Sequence, residues 1–374
     1  MADAEQGVLG LGLIGCGGFG RFCFQQYAAL EGISPVGVTD LVPEAARAAA
    51  RDFSVRCFGS VEELLADPKV GIVHIATPPG THRDLALGAI RAGKHVLCEK
   101  PLATTLEDGR TMVEAAHRAQ RVLVVNFIER YNPLAAAVSR IVREGLLGAP
   151  LHAFFENYAG DERLGPEHWF WDRAQSGGIF IEHGVHFFDL FEMWFGPGKV
   201  LAAQQAYRPG GGQIVDQVQC QVRYGDELLA QFYHGFHQAD RMDRQELRIL
   251  FERGDVKLFE WVPTRIEIDA LVDRATSERL ASITPNARVK DQDPCTGDQR
   301  KVGARHASYE ADGRSDIRGD AGLGKQQLYQ HVVRELMRDQ VQYVRNRAHQ
   351  RLVTEENGLS SLQIAVKADT LARA

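Results

Sequence analysis

The chain has 374 residues, with 43 Lys plus Arg against 49 Asp plus Glu, a formal net charge of −6. A hydrophobic share of 44% and a charged share of 25% are ordinary globular values, which excludes disorder, collagen-like repeats and coiled coil as overall descriptions. An acidic chain has no general attraction for phosphate backbones or anionic membranes, so no nucleic-acid or membrane partner is expected, and the length favours two domains.

The first 128 residues alternate short β-rich runs with helical stretches. Strands are expected at 11–14, 36–39, 55–58, 72–76, 95–98 and 122–127. Helices are expected at 19–30, 43–51 (with Pro43 in its first turn), 61–66, 81–92 and 106–120. Apolar residues on both faces of strands separated by helices indicate a doubly wound parallel sheet, a Rossmann-type α/β domain over 1–128. After Tyr131-Asn132-Pro133 the pattern changes. A helix at 134–144 ends at Gly145, and β-rich segments follow at 151–158, 200–207, 215–224, 227–236 and 246–252. Their close succession predicts a largely antiparallel sheet in a second, α+β domain over 129–374. Residues 285–320 hold 14 charges among 36 residues and few large apolar groups, and read as a long loop or partly ordered polar insertion. Helices are expected at 325–347 and 355–374.

The six cysteines, Cys16, Cys23, Cys57, Cys98, Cys220 and Cys295, form no C-x-x-C pair. Scattered thiols of this kind suit a reducing, cytoplasmic setting. The polar start at 1–7 has no signal-peptide pattern, and no run of about 18 apolar residues exists to span a membrane.

Gly15-Cys16-Gly17-Gly18-Phe19-Gly20 is G-x-G-x-x-G, placed after an expected strand and at the start of an expected helix. Gly15 permits the tight turn, Gly17 the approach of a pyrophosphate and Gly20 close helix–strand packing. Gly18 and Phe19 complete the loop, and the helix start holds the phosphates. Asp40 ends the second strand, 20 residues after Gly20. A carboxylate there accepts both hydroxyls of an adenosine ribose and repels a 2′-phosphate; Leu41 and Val42 supply no Arg to bind one. NAD is therefore favoured over NADP. The alternative is a Gly-rich turn in a fold that binds something else.

Further motifs resemble those of the Gfo/Idh/MocA oxidoreductases. They are Gly15 to Gly20, Ala76-Thr77-Pro78-Pro79-Gly80-Thr81-His82, Cys98-Glu99-Lys100-Pro101, Gly177-Gly178 leading to Glu182-His183-Gly184-Val185-His186-Phe187-Phe188-Asp189, and Thr354 to Leu359. The resemblance spans nearly the whole chain apart from the polar insertion. It implies a Rossmann domain followed by a domain whose open sheet serves oligomer assembly, and oxidation or reduction of a carbon bearing oxygen on a sugar, sugar derivative or cyclitol. It also implies that Thr77, Pro78, His82 and Glu99 lie at the nicotinamide end of the cofactor.

Lys100 falls at the carboxyl end of the fifth strand, where doubly wound folds bind ligands, and can stabilise a developing alkoxide or carbonyl oxygen. Glu182 and His186 are four apart, so on one helix they share a face, and a carboxylate beside the imidazole suits His186 as the acid–base group. Family members usually carry Asp at the position of Glu182. His183 and His186 also form H-x-x-H beside Glu182 and Asp189, but hydride transfer from nicotinamide needs no metal, and none is assigned; Asp189 reads as a structural partner. The run His168-Trp169-Phe170-Trp171-Asp172 offers Trp169, Trp171 and Asp172, with His183, as a substrate lining, or else as core packing. Phe170 stands where many relatives have Arg, which suggests a less anionic substrate. The expected protein is an NAD-dependent dehydrogenase or reductase of a sugar or polyol, active as a homo-oligomer (dimer or tetramer). The alternatives are redox-assisted glycoside elimination with transient NAD reduction, and a non-catalytic dinucleotide-binding protein.

Overall fold

The structure, a computed structural model, describes residues 8–374 except 162, 211 and 240. The polar start at 1–7 therefore lies outside the described residues. The chain opens with β1 (Leu9–Ile14), α1 (Gly18–Ala28), β2 (Ile33–Thr39), α2 (Pro43–Phe53), β3 (Arg56–Cys57), α3 (Val61–Ala66), β4 (Ile72–Ile75), α4 (His82–Arg91), β5 (His95–Cys98), α5 (Leu106–Ala119) and β6 (Leu123–Val125). Among the described residues these six strands form one parallel sheet of order β3-β2-β1-β4-β5-β6. Leu11, Leu13, Val73, Ile75, Val96 and Leu97 are buried, as a sheet covered on both faces requires. Local chemistry sets the helix starts: Ser60 accepts the Glu63 amide (3.2 Å) ahead of α3, and Thr105 accepts that of Asp108 (3.1 Å) ahead of α5.

α6 (Pro133–Glu144) follows. Asn132 caps it by accepting the Leu134 amide at 2.9 Å, Pro133 fills its first position and Gly145 ends it. Leu134, Ala137, Val138 and Ile141 recur at helical spacing and are buried. Next come β7 (Pro150–Ala159), the short α7 (Arg173–Ser176), a π-helical turn (Phe180–Gly184) and α8 (Val185–Phe195). Then follow β8 (Gly198–Tyr207), β9 (Val215–Tyr224), β10 (Leu228–Phe236), β11 (Arg244–Phe251), β12 (Gly254–Phe259), β13 (Arg265–Val272), α9 (Arg274–Ile283), β14 (Arg288–Pro294), β15 (Lys301–Gly303), β16 (Ser308–Glu310) and β17 (Gly313–Asp320). Nine of these strands make a sheet of order β14-β17-β13-β12-β11-β7-β10-β9-β8, and β15 and β16 make a small hairpin. Every pair in the large sheet is antiparallel except β10 with β7.

The polar segment 285–320 is thus not a long loop: it supplies β14 to β17. A sheet with one solvated face needs only alternate buried residues, and Ser315 and Ile317 serve that purpose on β17. Its charges face outward and pair across strands. Arg314 Nε donates to Asp269 at 2.6 Å, and Arg318 is ion-paired with Glu267.

α10 (Lys325–Arg345) and α11 (Glu355–Ala372) complete the chain. It forms two compact units. One holds Met1–Ile128, Glu167–Val185 and Gln330–Val366; the other holds Glu129–Pro166, His186–Tyr329 and Lys367–Ala374. Two segments beyond residue 128 therefore return to the first unit. The second return is anchored at β6, where the Leu123 amide donates to Glu355 at 3.2 Å.

Candidate active site

In the first unit β1 runs into the glycine loop. Gly15 has φ +97°, and a Cβ there would lie 2.4 Å from the Ala76 carbonyl oxygen. A Cβ on Gly20 would lie 2.4 Å from the Gly15 carbonyl oxygen and 2.8 Å from the Ala76 Cβ. Packing therefore demands glycine at both. Gly17 and Gly18 differ: a Cβ on either would meet nothing within 4 Å. The protein's own packing does not require glycine there, but a phosphate drawn close to the backbone does. Gly17 is also the N-cap of α1 and gives the helix no side-chain cap.

The Asp40 carboxylate is fixed by two amides, Cys16 to Oδ2 (2.6 Å) and Val42 to Oδ1 (2.7 Å). Each oxygen keeps a second lone pair, which fits the two hydroxyls of a ribose. Leu41 is 98% exposed, and Val42 and Phe19 are exposed as well, an apolar rim suited to a flat base. Burial, with Asp40 beside it, pushes the Cys16 thiol up to about 12, so it stays protonated. These features fit NAD.

At the carboxyl ends of the central strands, Thr77 Oγ1 meets Thr81 Oγ1 at 2.7 Å, and Thr81 Oγ1 donates to the Pro78 carbonyl at 2.8 Å. His82 is fully buried, with Nε2 2.9 Å from the Thr77 carbonyl oxygen and Nδ1 2.8 Å from that of Pro101. Glu99 is also buried; its Oε1 accepts from His74 Nε2 (2.7 Å) and Asn126 Nδ2 (2.9 Å).

Lys100 precedes a cis peptide to Pro101. Its ammonium donates to the Glu182 carbonyl at 2.9 Å and is ion-paired with the Glu182 carboxylate. An ammonium has three N–H groups. Two are engaged by Glu182, which leaves one for a substrate oxygen. Glu182 and the buried His183 lie on the π-helical turn, a local irregularity common at functional sites. The Glu182 carboxylate meets Lys100.

Trp169 and Trp171 are half-buried, and Phe170 packs edge-on against Trp171 with ring centroids 4.7 Å apart. Asp172 caps α7: Oδ1 accepts the Ala174 amide (2.9 Å) and Oδ2 accepts from Gln175 Nε2 (2.8 Å). The Gln175 bond comes first among the causes that hold its carboxyl below the usual range. Both Asp172 oxygens thus already have partners within the chain.

In the second unit, His186 is buried on α8 with its ring edge-on to Trp261, centroids 5.1 Å apart. One turn on, Asp189 is clamped by Arg130, Nε to Oδ2 at 2.8 Å and Nη2 to Oδ1 at 2.9 Å. Burial raises the Asp189 carboxyl while Arg130 pulls it back down. Among the described residues one group of metal-type ligands converges, Cys23, His74 and Glu99. There His74 already donates to Glu99, and burial holds the Cys23 thiol well above its usual range. The roles of Asn126, His74, Trp261 and Arg130 were not foreseen from sequence, because each depends on contacts across elements that periodicity does not encode.

Comparison with known proteins agrees with this geometry. Residues 9–127 match the family described as an oxidoreductase family with an NAD-binding Rossmann fold, and residues 135–257 match the GFO/IDH/MocA C-terminal domain. The chain belongs to the Gfo/Idh/MocA oxidoreductase family. It is 38% identical over 182 residues to the 1,5-anhydro-D-fructose reductase of Ensifer adhaerens, covering 47% of this chain and 54% of that protein. It is 32% identical over 198 residues to the D-apiose dehydrogenase of Paraburkholderia graminis, covering 51% of each. The aligned part thus spans about half the length of these curated relatives. In fold it is similar to the WlbA dehydrogenase of Bordetella pertussis, solved with NADH and UDP-GlcNAcA, with a TM-score of 0.80 at 21% identity over 99% of this chain and 97% of that one.

Proposed function

We propose that this Gfo/Idh/MocA protein is an NAD-dependent dehydrogenase or reductase that moves hydride between nicotinamide and a CH–OH or keto carbon of a sugar, sugar derivative or cyclitol. The observation that carries the reading is Lys100: an ammonium at a strand end of the dinucleotide-binding sheet, held twice by Glu182, with one donor left over. NAD, when bound, supplies the hydride acceptor. Gly15 to Gly20 take its phosphates and Asp40 its adenosine ribose, while Thr77 and Pro78 flank the nicotinamide end with His82 and Glu99 beneath them. Lys100 donates to the reacting oxygen and stabilises its developing charge, and Glu182 fixes the ammonium. His186 removes the hydroxyl proton during oxidation or returns it during reduction. Trp169 and Trp171 offer apolar faces to the C–H surface of a ring, and His183 borders the same turn as Glu182.

A screen of polyols, aldoses and cyclitols with NAD, read at the nicotinamide absorbance, tests this. Steady NADH formation on one such substrate supports it. Glycoside cleavage without net NADH would point to transient reduction within an elimination. NAD binding with no turnover across the panel would favour a non-catalytic protein.

A further inference from the structure

Two buried histidines of the first unit, His74 and His82, sit near the same carboxylate, Glu99, but in opposite hydrogen-bonding situations. His74 has one acceptor, Glu99 Oε1, for its Nε2–H; its Nδ1 is buried with no hydrogen-bond partner, and its ring stands edge-on to Tyr27 at 5.3 Å between centroids. A second proton on His74 would be buried and unmatched, so this ring is neutral. His82 has two acceptors and no donor. Nδ1 lies 2.8 Å from the Pro101 carbonyl oxygen and Nε2 2.9 Å from that of Thr77. A neutral imidazole carries one N–H and one bare lone pair. Its lone pair would then face a carbonyl oxygen at hydrogen-bonding distance, which is repulsive.

We infer that His82 is held as an imidazolium that clamps the loop after β4 to the Lys100–Pro101 turn after β5, and so acts as a positioning residue for both walls of the cofactor rim. The surroundings pull both ways. Burial is the strongest influence and lowers the ring below the usual imidazole range; the two carbonyls and then Glu99 favour the proton and Lys100 opposes it, so the clamp is carried by the two carbonyl contacts and not by the field. His82 also opens α4, whose dipole disfavours a cation, and Asp84 in the same turn is paired with Arg83. Glu99, Lys100 and Glu182 sum to one negative charge when ionised; an imidazolium at His82 brings the group to neutrality. Both loops carry residues of the proposed site, Thr77 and Pro78 on one and Lys100 on the other, so one side chain sets their separation. Neutral His82 could hold only one of them.

Neutron diffraction from a D2O-exchanged crystal at near-neutral pD locates the ring deuterons without any substitution. Two deuterons on His82 and one on His74 are expected; a single deuteron on His82 overturns the inference, whatever the protein's substrate proves to be. The positioning role rests on the reading of this rim as the cofactor site and is tested by NAD titration across pH. A Gln amide places one donor group and one acceptor, so His82→Gln should bind NAD about tenfold more weakly, the scale of one lost charge-assisted hydrogen bond. Wild-type affinity should also fall as rising pH removes the second proton, while H82Q stays flat over that range. Parallel profiles for the two proteins would reject the clamp, and a variant that does not fold leaves the deuteron count to decide.

Discussion

At the residue scale the proposed reaction rests on few atoms, and it assigns proton transfer to His186. His186→Ala should lower kcat by roughly 10²–10⁴-fold, the usual worth of a positioned acid–base group, with NAD affinity nearly unchanged. Near-full turnover by a folded H186A protein on its substrate would refute the proposed proton path. Lys100→Met should collapse kcat as well, since it removes the ammonium proposed to donate to the reacting oxygen. Glu182→Gln keeps a neutral acceptor for the ammonium but loses the ion pair, and its cost should be smaller, about tenfold. If E182Q matched K100M in severity, Glu182 would have a direct part in the chemistry. In the proposed site Asp40 sets the choice between cofactors. Its carboxylate is pinned by the Cys16 and Val42 amides and cannot swing away from a 2′-phosphate. The kcat/KM ratio should favour NAD over NADP, and Asp40→Ser should narrow it; a wild-type preference for NADP would overturn the assignment.

At the element scale the glycine loop separates folding from binding. Gly20→Ala forces a Cβ against the Gly15 carbonyl, an overpacking that typically costs about 1–3 kcal/mol, and should lower the melting temperature. Gly17→Ala fills only open space, so it should leave the melting temperature of the apo protein almost unmoved while weakening NAD binding. Equal effects of the two changes on both readouts would contradict that division. The β15–β16 hairpin offers a pH test. Glu252 accepts from the amides of Ala149 (3.0 Å) and His306 (2.8 Å), from Tyr309 Oη (2.8 Å) and from His306 Nδ1 (2.9 Å). Burial pushes this carboxyl up, but the accepted bonds outweigh it and hold the group at about 2. His306 is raised, chiefly by its bond to Glu252. The Glu252 contribution is complete above the ordinary 4.5 and is lost as pH falls through about 2. The His306 contribution is complete below the ordinary 6.5 and is lost as pH rises through its raised value. Amide protection over 301–310 should therefore peak between these limits and drop in His306→Ala; a profile flat with pH would show that the latch does not hold the hairpin. The strands here also mark what the sequence hides. The parallel sheet was legible because its central strands are largely apolar. β14 to β17 were not, because a one-faced edge shows only alternate small or apolar residues among charges that pair across strands. In β12 and β13 the alternation was present, in Val256 and Leu258 and in Ile266, Ile268 and Ala270, but its period-2 signal is short.

At the scale of the whole molecule, the glycine loop and Lys100 are carried by contiguous motifs of the sequence resemblance, and Asp40 by its spacing after Gly20 at the end of the second strand. The resemblance could not place the Lys100–Glu182 pair, whose members are 82 residues apart, or the return of 330–366 to the first unit. It implies that the second sheet serves assembly, and strand register identifies the outer face of that sheet. Arg248 lies opposite Lys257, Lys257 opposite Glu267 and Glu267 opposite Arg318, so these charges share the outer surface of the sheet. They are largely matched among themselves, with Arg248 paired to Asp255 and Arg318 to Glu267. The same surface continues through Phe154 and Gln231, and there its character changes. Leu229 is 47% exposed and Leu201 41%, and Tyr158 and Tyr233 lean together with ring centroids 5.2 Å apart. A half-sheet that mixes exposed leucines and tyrosines with a few charges (Arg223 opposite Leu229, Lys199 opposite Arg223, Glu156 opposite Tyr233) beside a self-neutralised one suits an isologous contact between two copies, each laying β8 to β10 on the other, while the charged half sets their register. Light scattering at micromolar concentration should therefore give a dimer or a tetramer. Leu229→Glu combined with Leu201→Glu places like charges on both sides of such a contact while touching no buried position, and should yield a folded monomer with an unchanged circular dichroism spectrum. A wild-type monomer, or a double variant that still assembles, would remove β8 to β10 from the interface.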